Sequence, residues 1–294
     1  QEEGSFSTSK QFAVKGERFT FKPEDYHSVF PQNHANGEFS EVLPHVVFKK
    51  RILPWNRTSV KGEESAPWLA VFLFNEDEVP TIQKKTAKDL VPNGTPITVK
   101  GSTVKGTGTM PAGYYSYPCF DKLDYGESPD DPCNAIDISA ALFNKIAPTA
   151  TELPYLAHIR ETTTVDKEDQ QALSDQSYAV VLSNRLSKTN TTSYAFLVSL
   201  ENMGPNLPAE DGSSQLPSDV QHVRLLCYKS WRFIANDLDQ SFKSLLENLN
   251  KDAQGNLGLT TLQFPSGPAP SQEAVQEALS RQATGTMTDG DGQV

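Results

Sequence analysis

An α+β fold is predicted, built on a mixed and mostly antiparallel β-sheet with short helices and long polar loops. Three observations carry the prediction. Trp68-Leu-Ala-Val-Phe-Leu-Phe74 is apolar at every position, the pattern of a strand covered on both faces. Tyr178–Leu186 and Ser193–Leu200 are strand-like runs flanking the polar segment Ser187–Thr192, which reads as a hairpin. Strands do not alternate regularly with helices, as they would in a doubly wound parallel sheet.

The elements follow in order. Residues 1–10 read as a flexible segment, and Gln11–Lys15 with Arg18–Phe21 as a strand pair joined through Gly16. Pro23 opens a short helix to Phe30, with acids in the first turn where the helix dipole favours them. Pro31–Ser40 is a loop whose Asn36-Gly37 marks a turn. His45–Leu53 is a strand, and Trp68–Phe74 the central strand, stopped by Asn75–Glu78 and Pro80. Thr81–Lys85 and Pro96–Lys100 are strands around a helical turn at Thr86–Leu90. Gly101–Cys133 is a long loop rich in Gly, Pro, Tyr and Asp. Ser139 caps a helix to Ile146, with Leu142, Phe143 and Ile146 on one stripe. A turn between Pro148 and Pro154 leads to a strand at Leu156–Val165. After the hairpin, Gly204–Ser218 is a second long loop, and Val220–Ala235 is one bent strand or two short ones. Phe242, Leu245, Leu246 and Leu249 fall on one face of a helix at Asp239–Asn250. Leu257–Phe264 is a last strand, and Ser271–Ser280 a helix. The organisation is therefore a flexible 1–10, one globular domain over 11–265, and a C-terminal helix and tail over 266–294. The absence of an initiator Met and the flexible-looking end suggest a piece of a longer chain.

Charge narrows function. The 294 residues carry 26 Lys+Arg against 37 Asp+Glu, a net of −11. This disfavours binding to nucleic-acid backbones and electrostatic docking to anionic membranes. The longest apolar run is seven residues, against about 20 for a membrane-spanning helix.

No catalytic signature stands out. Gly-x-Ser-x-Gly, His-Glu-x-x-His and a Walker-type phosphate loop are absent. Gly106-Thr-Gly108 runs into Pro111, which excludes a phosphate-binding helix start and leaves a loop. His27, His34, His45, His158 and His222 are scattered. His34 in its polar loop is the most site-like, and His45 and His222 each open a strand. Asp121, Asp124, Glu127, Asp130 and Asp131 form an acidic stretch where a calcium ion is conceivable, although the spacing fails the EF-hand pattern. Tyr114-Tyr-Ser-Tyr117 and Trp55, Trp68 and Trp231 are candidate sugar-stacking aromatics; Trp68 reads as core and the tyrosine run as a β edge. Cys119, Cys133 and Cys227 are an odd count without metal or redox spacing. Cys119 and Cys133 fit either a bridge or two free thiols, and Cys227 fits a core position. Asn56, Asn93 and Asn190 are glycosylation-type sequences too common by chance to establish secretion. No catalytic, cofactor-binding or metal-ligating residue is assigned.

Leu43–Trp55, Ala66–Glu78, Val180–Leu186 and Ala195–Glu201 resemble phrases in a group of uncharacterised microbial proteins, some associated with phage-tail-like contractile injection gene clusters. These are core-strand phrases, so no site residue is carried over. The lack of a catalytic signature points to a non-enzymatic component of a larger protein assembly, with other subunits or copies of itself as partners, and the resemblance implies the same. The charge balance argues against nucleic acid as a partner. Polar loops such as Gly101–Cys133 and Gly204–Ser218 are the expected contacts, and a cytoplasmic protein or released particle is favoured over classical secretion. The alternative is a secreted carbohydrate-active or carbohydrate-binding protein using dispersed Asp and Glu.

Overall fold

The computed structural model describes residues 17–110, 114–116, 120, 122–165 and 172–236. The chain divides into two compact units, Gln1–Asp239 and Gln240–Val294, and the described residues all belong to the first. The elements expected at Gln11–Lys15, Asp239–Asn250, Leu257–Phe264 and Ser271–Ser280 lie outside the described residues, as do Cys119 and Tyr117.

The strands are β1 (Tyr26–Phe30), β2 (Ala35–Gly37), β3 (His45–Phe48), β4 (Leu69–Asn75), β5 (Gln83–Thr86), β6 (Pro96–Val99) and β7 (Ser102–Lys105). β8 (Tyr114–Ser116), β9 (Lys122–Leu123) and β10 (Pro132–Ser139) precede the helix α1 (Ala140–Ile146). β11 (Ala157–Val165), β12 (Ala172–Leu182), β13 (Thr191–Ser199) and β14 (Val220–Ala235) follow. The molecule is thus β-rich. One sheet has the order β1-β3-β12-β11, a larger one β4-β13-β14-β10-β5, and a small one β7-β6-β9. The two larger orders are antiparallel throughout; β2 and β8 add to β14 in parallel, and β9 to β6.

The large sheet is apolar on both faces. Along β4, Ala70, Phe72 and Phe74 enter one core and Leu69, Val71 and Leu73 another. β13 does the same, with Phe196 and Val198 on the first side and Ala195 and Leu197 on the second. The first core is closed by Phe143 and Ile146 of α1, by Leu153, and by Met203 and Leu207. The second is closed by the four-stranded sheet through Val46 and Phe48 of β3 and Ala179 and Val181 of β12. A third core, around Ala87, Leu90, Ile97 and Leu123, joins the small sheet to β10 and Leu226 of β14.

β14 reaches all three cores because it carries a bulge. Leu197 of β13 pairs with Lys229 and its neighbour Val198 with Cys227, so Tyr228 is the extra residue. An inserted residue inverts the side-chain alternation beyond it. Accordingly Val223, Leu225 and Cys227 face the first core, while Trp231 and Phe233 face the second. The displaced Tyr228 stacks on Phe21 at 4.3 Å between ring centroids, and its hydroxyl donates to the Arg18 carbonyl oxygen at 2.7 Å.

Several expectations are corrected. Residues 23–30 are not a helix: a 3-10 turn at Pro23–Asp25 gives way to β1, whose aromatic and β-branched residues gain a sheet partner in β3. Arg18–Phe21 joins no sheet; Phe19 and Phe21 plug cores instead. Asn36-Gly37 lies in β2, paired with Ile234 and Ala235; the chain turns earlier, at His34, which has φ 65°. β3 stops at Phe48, and Leu53–Trp55 is a 3-10 turn. The Tyr178–Leu186 and Ser193–Leu200 strands do not form a hairpin. β12 pairs with β3 and β11, and β13 with β4 and β14, because the intervening chain crosses from one sheet to the other. Trp68–Phe74 is buried on both faces as expected, yet it ends the path of its sheet instead of lying at its centre, a place taken by β14. The helix at 140–146 forms as expected, with the Ser139 hydroxyl accepting from the Leu142 N–H at 3.1 Å. Gly106-Thr-Gly108 is a packing device: a Cβ at Gly108 would lie 2.3 Å from the Val91 carbonyl oxygen.

The outer edge of β4 is closed by Arg185, which donates to the Leu73 carbonyl oxygen at 3.0 Å and to Glu78 at 2.7 Å. Glu78 also accepts from the Asn75 N–H at 3.0 Å and from Lys145 at 2.9 Å. Burial alone would raise its pKa, but these donors outweigh it and hold the carboxyl at about 2, from an ordinary 4.5. A depressed carboxyl stabilises the fold above its unfolded pKa, and that contribution is lost as pH falls toward the folded value. Glu78→Gln should therefore cost about 1.5–3 kcal/mol at pH 7, the range for hydrogen bonds to charged groups. It should also flatten the loss of stability that denaturant titrations show for the wild type between pH 4.5 and about 2. A wild-type slope retained in the variant would reject the assignment.

Candidate functional site

Residues 46–48 of β3 and 179–182 of β12 are apolar on both faces. Their inward residues Val46, Phe48, Ala179 and Val181 fill the second core. Their outward residues do not lie under another layer of the described chain. Val47, Val180 and Leu182 form the floor of an open depression of about 730 Å³. The register builds it in rows. Ser28, Val47, Val180 and His158 lie side by side across the four strands, and Phe30, His45 and Leu182 form the next row. Arg160 pairs with Tyr178 along the same face. His45 stacks on Phe30 at 5.4 Å, its Nδ1 donating to the Leu43 carbonyl oxygen at 3.1 Å. His27, at the irregular step of β1, meets the Tyr178 ring at 4.5 Å.

Three of the five scattered histidines thus share one face. His34 does not join them: Arg232 Nε donates to its Nδ1 at 3.2 Å, and its own N–H donates to the Arg232 carbonyl oxygen at 2.7 Å, which makes it a joint between β2 and β14. His222 opens the pairing of β14 with β10, opposite Ser139. Among the described residues, no group of three or more His, Cys, Asp or Glu is placed to hold a metal ion.

The acidic stretch is committed to arginines. Arg18 donates to Glu127 at 3.1 Å and Glu201 at 3.0 Å. Arg57 donates to Asp124 at 3.0 Å, Glu127 at 3.2 Å and Glu201 at 3.2 Å. Two guanidiniums and three carboxylates thereby tie together four segments, those before β1, before β4, before β10 and after β13. The Glu127 side chain is fully buried. Burial pushes its carboxyl above the ordinary value, against the pull of the Asp124 N–H and both arginines. Burial also works against the charge on Arg57, but Glu201, Glu127 and Asp124 outweigh it and raise its pKa. Asp130 pairs with Lys88 at 2.6 Å, and Asp121 lies outside the described residues.

The aromatic candidates are largely internal. Trp68 and Trp231 are buried, and Trp68 Nε1 donates to the Leu53 carbonyl oxygen at 2.7 Å. Tyr114–Ser116 is a short strand beside β14. Cys133 and Cys227 are free and buried, and burial pushes both thiols up to about 12, which suits inert core residues.

Scattered spacing concealed the depression, since its members come from four strands. The available signal was Tyr178-Ala-Val-Val-Leu182, apolar at both parities, a pattern that asks for cover on both faces. No protein-family model, no curated protein and no solved structure matches this chain.

The arginine–carboxylate cluster makes a separate prediction. Arg57→Ala removes one of the two guanidiniums that hold the buried Glu127, leaving Arg18, and should cost up to about 3–5 kcal/mol. Adding Glu127→Gln should return part of that loss in urea unfolding. Strict additivity of the two substitutions would show that the groups are not coupled.

Proposed function

We propose that this protein is a non-enzymatic component of a larger protein assembly, of the phage-tail-like contractile kind that its strand phrases resemble. Its contact surface is the outward face of the β1-β3-β12-β11 sheet. One observation carries this reading: residues 46–48 of β3 and 179–182 of β12 are apolar on both faces, and their outward Val47, Val180 and Leu182 floor an open depression, Val47 and Leu182 half-buried and Val180 7% exposed. Apolar sheet surface left open in this way gains free energy when a partner removes it from water. Phe30, at 38% exposure, extends the apolar surface to the β1 edge of the sheet.

The carbohydrate reading is less well supported. Two of its three tryptophans are core residues, and Asp124, Glu127 and Glu201 are each paired with arginines. Of the Gly204–Ser218 segment, Leu207 is buried in the first core and residues 210–215 are exposed.

Native mass spectrometry of the protein isolated from its source, without overexpression, tests the proposal. The expected result is a defined oligomer or a stable complex with other subunits. A monomer of the chain's own mass, carrying at most a small ligand, would overturn it.

A further inference from the structure

We infer that the outward face of the four-stranded sheet receives an acidic polypeptide segment from another subunit, with apolar side chains on Val47, Val180 and Leu182 and carboxylates toward Arg160 and the histidines. This rests on the assembly reading and names the chemistry of the partner. Charge complementarity carries it. Among the described residues, no Asp or Glu lines this depression, whereas Arg160, His27, His45 and His158 do. The apolar and basic groups are arranged in space to suit such a segment. In the central row Val47 and Val180 lie between Ser28 and His158, so the floor is apolar and the β11 end is basic. Arg160 stands two residues from His158 on the same strand face, about 7 Å along it. That spacing equals the distance between alternate side chains of an extended segment. Among the described residues the lining holds one arginine and no lysine. A nucleic-acid strand needs several cations along its phosphates, and the net charge of −11 opposes its approach. A protein segment with a few carboxylates among apolar side chains brings fewer charges against that barrier and gains from burying its apolar side chains on the floor.

The test uses the full chain and a fluorescein-labelled ten-residue peptide of alternating Leu and Glu, with a Leu–Lys peptide of the same length for comparison. Fluorescence anisotropy at low salt should show the Leu–Glu peptide binding at least about tenfold more tightly than the Leu–Lys peptide. Arg160→Glu should weaken Leu–Glu binding by about tenfold and lessen its salt dependence. Arg160 is exposed, so the variant should unfold at the wild-type temperature. Leu182→Glu provides a second, independent disruption of the same face. Equal affinity for both peptides, or unchanged binding by both variants, would overturn the inference. So would an Arg160-dependent preference for a single-stranded oligonucleotide over the Leu–Glu peptide. The two readings fail separately: a native complex of wild-type mass formed by protein carrying both Arg160→Glu and Leu182→Glu would remove this face as the contact and leave the assembly intact, whereas wild-type protein isolated as a monomer would remove the assembly reading itself.

Discussion

The constraint on which the structure depends is a sheet that is apolar on both sides. Phe72 and Phe74 alternate with Val71 and Leu73 along β4, and Phe196 with Leu197 along β13. Such strands are stable only between two covers. The chain supplies them by different means, a helix with loops on one side and a second sheet on the other. The bulge at Tyr228 lets one long strand serve both cores, because it inverts the alternation of β14 between Cys227 and Lys229. Without that inversion Trp231 and Phe233 would turn away from the second core.

Buried charge fixes how the covers are joined. Arg224 and Asp137 are opposite each other in the β10–β14 register and bond twice, at 2.7 and 2.8 Å. Arg18 and Arg57 gather three carboxylates from loops far apart in sequence. Such groups add little net stability over an apolar replacement, but losing one partner is costly. They therefore favour one arrangement of the loops over others. Glu78 does the same at the edge of β4, where Arg185 also occupies the Leu73 carbonyl and so blunts an edge open to foreign strands.

Local chemistry was legible in the sequence and long-range pairing was not. Ser139 as a cap and the two-sided burial of Trp68–Phe74 follow from side-chain size, polarity and spacing alone. The supposed hairpin at 178–200 failed because adjacency in sequence was taken for adjacency in a sheet, and the connection crosses between layers. The helix expected at 23–30 failed because Asp25 turns the chain and β3 offers Tyr26–Phe30 a partner. The depression was hidden for the same reason as the hairpin error: His27, His45 and His158 share a face only after three strand pairings are known. The acidic stretch was visible, but its arginine partners at positions 18 and 57 were not.

These features give the four-stranded sheet two roles. Its inner face completes the second core, and its outer face repeats apolar chemistry with a basic rim and nothing of the described chain above it. Hydroxyl-radical footprinting tests that division most directly, by comparing the isolated chain with the same chain in its native complex. The account predicts slower oxidation of Phe30, His45, Tyr178 and Leu182 in the complex, with Tyr155, which is 85% exposed away from the depression, unchanged. Equal oxidation of the four residues in both states would contradict it.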